Sequence, residues 1–281
     1  MKHNSVMKSV ITGVLLALAI GGHLAWAQFE IEPFFQRDDP EDDRPGEPEF
    51  IFVRGIYSNY GGYAQAMGPA RGWWETDFDD SDRNFLRGVQ RYTNLDANSF
   101  GVKALELTDP ELFKHTFLYI NMKRVPITVP NSGPNFSLAE AEALREFMLR
   151  GGFVMLDDFW GEQHWDDFLV EFDKIFPDRE LVQLDTSHPI FHTFFDVEEI
   201  HQVPGRSVTW NFNSGFYLDD PDFPPSVHAV LDDDGRIMMV ANFNTDLGDG
   251  WEHTFYEPYP TRYINEAYKI GINYIIYALS Q

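Results

Sequence analysis

Cysteine is absent from the 281 residues. Its absence excludes disulfides, thiolate zinc sites and every cysteine nucleophile. Basic residues are scarce: 21 Lys and Arg stand against 45 Asp and Glu, for a net charge of −24 at pH 7. Such a charge repels phosphate backbones and anionic membranes. No basic patch offsets it, since Lys123-Arg124 is an isolated pair. Nucleic acid is therefore excluded as a partner. Long apolar runs are missing as well. Residues 10–20 form the longest, broken by Thr12 and Gly13, and a membrane span needs about 20. No integral span is expected in the mature chain. There is no H-E-x-x-H, no dinucleotide fingerprint and no phosphate-cradling lysine motif, and Ser58 is not in a G-x-S-x-G elbow. Those absences argue against a zinc peptidase, a nucleotide enzyme and a serine hydrolase.

What is present begins with an address. Lys2 and Lys8 precede the apolar run, and Ala25-Trp26-Ala27 gives a small-x-small cleavage pattern. Residues 1–27 are expected to be a signal peptide cut near Ala27-Gln28, leaving a periplasmic or secreted protein; the other reading is a retained anchor. Residues 28–48 carry an acidic, proline-rich stretch around Arg37-Asp38-Asp39-Pro40, the composition of a solvated linker. Residues 49–281 form one domain, with no further linker and no internal repeat. With 43% apolar and 16% aromatic residues, the chain can bury a large core.

Within the domain, short apolar runs alternate with helical patterns. Strands are expected at 50–53, 102–107, 117–120, 153–156 and 181–184. Helices are expected at 80–90, with Ser81 as cap, at 160–176 and at 263–279. The clearest helix starts at Ser137-Leu138-Ala139-Glu140, a capping box. It carries Leu138, Ala141, Leu144 and Met148 on one stripe and stops at Gly151-Gly152. A hairpin follows around Asp232-Asp233-Asp234-Gly235. Strand–helix alternation predicts an α/β fold: a Rossmann-like or flavodoxin-like three-layer sandwich, its sheet mostly parallel, with a late β-hairpin.

In such sheets, ligands bind outside the carboxyl ends of the strands. That rule selects three loops. The first carries Arg54, Tyr57, Ser58, Asn59, Gly61 and Gly62. Arg54 can hold an anion or pair with an acid. The second is Asp157-Asp158, which can share a proton, hold a cation, or divide into a base and an orienting group. Alternatively, one caps the next helix and the other faces water. The third spans residues 242–252, where Asn244, Asp246, Asp249 and Glu252 can supply oxygen ligands to a hard divalent cation. The same residues are also ordinary turn formers. Trp251 either stacks on a sugar or covers the core.

Phe52-x-Arg54, the Tyr57-Ser58-Asn59-Tyr60-Gly61-Gly62 turn, Leu144-Arg145-x-Phe147 leading to Gly151-Gly152-Phe153, and Asp157-Asp158 occur in this order. They are followed by His188-Pro189-Ile190-Phe191, Asn244-x-Asp246-x-Gly248-Asp249 with Trp251-Glu252, and a closing segment from Gly271 to Leu279. As an ordered set they resemble a bacterial family, domain of unknown function 4159, over residues 49–281. The resemblance implies a relation to the class I glutamine amidotransferase-like fold. Asp158 falls where that fold's cysteine nucleophile would lie. A carboxylate cannot perform thiolate acyl chemistry, so cysteine-dependent amidotransferase activity is not implied.

Two functions are weighed. One is a noncatalytic module that binds a small molecule or an envelope protein. The other is an exported hydrolase acting on carbohydrate through carboxylates or a bound divalent cation, with Trp251 and Tyr57 as a sugar platform. A purely structural envelope protein is the third, weaker idea.

Overall fold

Residues 153–159 hold the centre of the molecule. All seven residues of this strand are buried; the apolar run 153–156 suits a strand covered on both faces, and Asp157 and Asp158 follow it. The computed structural model describes residues 48–58, 72–123, 133–205 and 224–281. Residues 1–27, expected as a signal, residues 28–47 of the expected linker, Asn59, Gly61 and Gly62 lie outside them. In chain order the strands are β1 (Phe52–Ile56), β2 (Val102–Glu106), β3 (Phe117–Asn121), β4 (Phe153–Phe159), β5 (Val182–Leu184), β6 (Ser226–Leu231) and β7 (Ile237–Phe243). The α-helices are α1 (Asp80–Tyr92), α2 (Leu138–Leu149), α3 (Gly161–Ile175), α4 (Leu247–Glu252) and α5 (Thr261–Leu279).

The seven strands form one sheet in the order β2-β1-β3-β4-β7-β6-β5. The pairs β1–β2, β1–β3, β3–β4 and β4–β7 are parallel, and β6 is antiparallel to both neighbours. The mostly parallel α/β sandwich with its late hairpin is thus what the chain forms. The chain leaves β1 toward β2 on one side and returns to β3 on the other. That reversal opens a crevice at the carboxyl ends of β1 and β3.

Alternation along each strand sorts side chains between the two faces. Val53, Leu118, Ile120, Val154 and Leu156 pack with Leu144 and Phe147 of α2 and with Phe168 and Phe172 of α3. The opposite face is aromatic. Phe52 meets Phe85 of α1 at 5.6 Å and Trp251 of α4 at 6.2 Å, and Phe153 meets Tyr274 of α5 at 6.1 Å.

The capping box of α2 forms as expected. Glu140 N–H donates to Ser137 Oγ at 3.2 Å, and Ser137 N–H donates to Glu140 Oε2 at 2.7 Å. Gly151 takes φ +105° just after the helix, a conformation that a Cβ disfavours. Three local expectations need correction. Leu138 is 75% exposed because it opens the helix short of the buried stripe. Ser81 lies inside α1, where Asp79 is the cap residue. Residues 242–252, read as a loop, include the end of β7 and all of α4.

Candidate functional site

The first loop braces the fold. Arg54 shares a face with Phe52, so its guanidinium points toward α1. It is fully buried, and its Nε donates to Asp82 Oδ2 at 2.9 Å. Nη1 donates to the carbonyls of Trp74 at 3.1 Å and Thr76 at 2.8 Å, and Nη2 donates to Ser81 Oγ at 2.9 Å. Burial lowers its proton affinity, but the charge and hydrogen bonds of Asp82 more than offset that, and the net shift is upward. Arg54 therefore pairs with an acid, the second of its two sequence readings. Tyr57 is buried and donates from its hydroxyl to the Asn121 carbonyl at 2.6 Å. Ser58 donates its backbone N–H to Glu140 Oε1 at 2.7 Å.

The second and third loops come together. Asp157 is fully buried at the end of β4. Its Oδ2 accepts from Tyr119 Oη at 3.0 Å and from Gly248 N–H at 2.9 Å, while its Oδ1 is buried with no hydrogen-bond partner. Asp158 is 2% exposed. It accepts from Trp160 Nε1 at 2.9 Å and forms an ion pair with Lys123 at 3.2 Å. Neither Asp faces water, and neither caps α3, whose cap residue is Trp160. Asn244 accepts at Oδ1 from Gly161 N–H at 2.8 Å, joining the ends of β7 and β4. Asp246 caps α4, its Oδ1 accepting from Asp249 N–H at 2.8 Å; its Oδ2 is buried with no hydrogen-bond partner.

Asp77, from the segment before α1, completes the cluster. Asp77, Asp158 and Asn244 have φ of 62°, 63° and 57°, the left-handed values among the described non-glycine residues. Asp and Asn bear this conformation better than other side chains. Strained backbone of this kind gathers at functional sites.

Electrostatics follow from the crowding. Burial pushes Asp77 well up, and Asp249, Asp158 and Glu252 add to the shift. Burial does the same to Asp246, with Asp158, Asp249 and Asp77 adding to it. Asp157 is raised to about 7, first by burial and further by Asp158, against the hydrogen bonds from Gly248, Leu247 and Tyr119. For Lys123 burial acts downward, but Asp158, Asp246, Asp77 and Asp249 outweigh it and hold the proton on.

Two overlapping groups have metal-ligand spacing. Asp77, Asp246 and Asp249 each offer an oxygen within 4.8 Å of the others, as do Asp249, Glu252 and His253 their donor atoms. His253 Nε2 lies 3.5 Å from Asp249 Oδ1 and 3.3 Å from Glu252 Oε2. The structure therefore unites Asp157, Asp158, Asp246, Asp249 and Glu252. Trp251 takes the second of its two readings, core cover: it is fully buried, stacked on Phe85 at 4.2 Å, and offers no sugar platform. Its turn-like neighbours form a helix that tucks it under the sheet. Sequence reading missed Asp77, Tyr119, Lys123 and His253. For His253, the i, i+4 spacing from Asp249 was the available signal.

Fold and site together define an open-sheet α/β protein with a buried carboxylate cluster at the carboxyl ends of its parallel strands. Residues 61–279 match the family model described as Domain of unknown function (DUF4159), and the chain belongs to that family. No curated protein matches the chain.

Proposed function

We propose that the protein is an exported, noncatalytic ligand-binding module whose carboxylate pocket takes a cation or a positively charged group. One observation carries this reading. Asp157 and Asp246 each keep a buried oxygen without a hydrogen-bond partner. Leaving a buried polar group unpaired costs about 1–3 kcal/mol, more if it is charged. A cationic ligand would satisfy both. The N-terminal pattern of Lys2, Lys8 and Ala25-Trp26-Ala27 supports export. The test is a thermal-shift panel on the EDTA-treated protein, with divalent cations, spermidine and arginine. Saturable stabilisation that Asp246→Asn abolishes supports the reading, and a flat panel overturns it.

A second reading has its own observation. Asp157, raised to about 7, adjoins Asp158, which pairs with Lys123. A carboxylic acid that keeps its proton near neutral pH suits a general acid, so an exported hydrolase acting on carbohydrate, through these carboxylates or a divalent cation, is the alternative. Turnover of a glycoside lost in Asp157→Asn would favour it over the module.

A further inference from the structure

We infer that a hard divalent cation (magnesium, manganese or calcium) binds between Asp77, Asp246 and Asp249. The inference rests on reading the carboxylates as the binding site, and it names what they bind.

Geometry comes first. One oxygen from each of the three aspartates lies within 4.8 Å of the other two. Bonds to such cations are about 2.0–2.6 Å long, so oxygens sharing one ion lie no more than about 4–5 Å apart. An all-oxygen set selects hard cations over zinc and copper.

The second observation is independent of the clustering. Asp246 is only 1% exposed. Its Oδ1 is committed to the Asp249 N–H, and its Oδ2 is buried with no hydrogen-bond partner. Asp77 Oδ2 is in the same condition. A buried carboxylate oxygen with no donor is met either by a proton of its own or by a cation, and three carboxylates facing one another favour the cation.

Gly248 lets these groups close in on the α4 backbone. A Cβ there would lie 3.1 Å from Asp77 Oδ2, 3.4 Å from Asp246 Oδ1 and 2.8 Å from Tyr119 Oη. Any larger residue would push Asp77 and Tyr119 out of their places.

Asp158 is left out of the ligand set because its partners are protein groups. Lys123 pairs with it at 3.2 Å, and Trp160 Nε1 takes its other oxygen. His253 Nε2 lies 3.5 Å from Asp249 Oδ1 and 3.3 Å from Glu252 Oε2, which places an imidazole within reach of the same carboxylate.

The test is calorimetric titration of the EDTA-treated protein with Mn²⁺, Mg²⁺ and Ca²⁺, with thermal shifts in parallel. The expected result is one ion per chain and a Tm raised by about 5–10 °C at a hundredfold excess over Kd. Asp77→Asn and Asp249→Asn should each weaken binding at least tenfold. Asn keeps the shape and tolerates the left-handed backbone at 77, and it removes a buried charge. The Tm of each variant in EDTA should therefore not fall, which separates lost ligation from lost folding. Asp233→Asn, on a side chain 90% exposed, should bind as the parent does. If the metal response persists in both Asp77→Asn and Asp249→Asn, the ion binds elsewhere on the acidic surface and the inference is wrong. If no metal stabilises the protein but spermidine or arginine does, with loss in Asp246→Asn, the metal falls and the pocket reading stands. If nothing stabilises it, both fall.

Discussion

Gly248 donates its backbone N–H to Asp157 Oδ2 at 2.9 Å, tying the first turn of α4 to the end of β4 across 91 positions of chain. The contact needs close approach, because the glycine carries no Cβ to hold Tyr119 and Asp77 apart.

Gly248→Ala tests that approach. The new methyl would meet Tyr119 Oη at 2.8 Å, closer than real Cβ contacts run. Overpacking of this kind destabilises by about 1–3 kcal/mol. Urea denaturation should show that loss with the m-value unchanged, and titration should show a weakened cation response.

Stability in EDTA should fall as pH rises from about 4 to about 7. Asp157 holds its proton to about 7 in the folded chain, against 3.8 unfolded. Between those values the unfolded chain binds fewer protons, so rising pH favours it; above the folded value the effect levels off. Asp77 and Asp246, also raised, act with the same sign. Asp157→Asn should flatten the profile measured by chemical denaturation at pH 4.5 and pH 8. An unchanged slope in that variant counts against the assignment.

Asp82→Ala should unfold the protein or cost about 3–5 kcal/mol, since it leaves the Arg54 guanidinium buried without its carboxylate. Arg54→Lys should not be a mild change. One ammonium cannot reach Asp82, Ser81 and the carbonyls of Trp74 and Thr76 at once. Denaturant midpoints check both.

Trp251→Ala should lose about 3–5 kcal/mol of stability, the price of a large void among Phe52, Phe85 and Tyr119. Intrinsic fluorescence of the parent should also resist quenching by iodide at this position. A surface tryptophan would show the opposite in both experiments.

The contrast between Ser137 and Asp77 shows how much was legible in the sequence. Ser137 and Glu140 declare a helix start within four residues, because capping is local chemistry. The apolar runs 117–120 and 153–156 that open β3 and β4 were equally plain, since burial on both faces favours apolar side chains there. Asp157-Asp158 was legible as a site because a strand end is a place that the fold rule names. Asp77 had no such signal. It joins the pocket only because Arg54 pins the carbonyls of Trp74 and Thr76 beside β1. Lys123 was read as an isolated basic residue; its partner Asp158 lies on the neighbouring strand, a register that no local pattern encodes. Trp251 stayed open between sugar platform and core cover for the opposite reason. Asn, Asp and Gly around it look like solvent-exposed turn chemistry, yet here they cap a helix and bind carboxylates inward.

The position of β7 has a consequence for how the protein is made. This strand is the last in sequence, yet it lies inside the sheet, between β4 and β6. A chain emerging from its N-terminus cannot cover the open edge of β4 until about residue 243 has been synthesised. Sheets closed by such distant partners fold slowly. The core on both sides of β4 is therefore completed late, once the C-terminal part of the domain is available to pair with it.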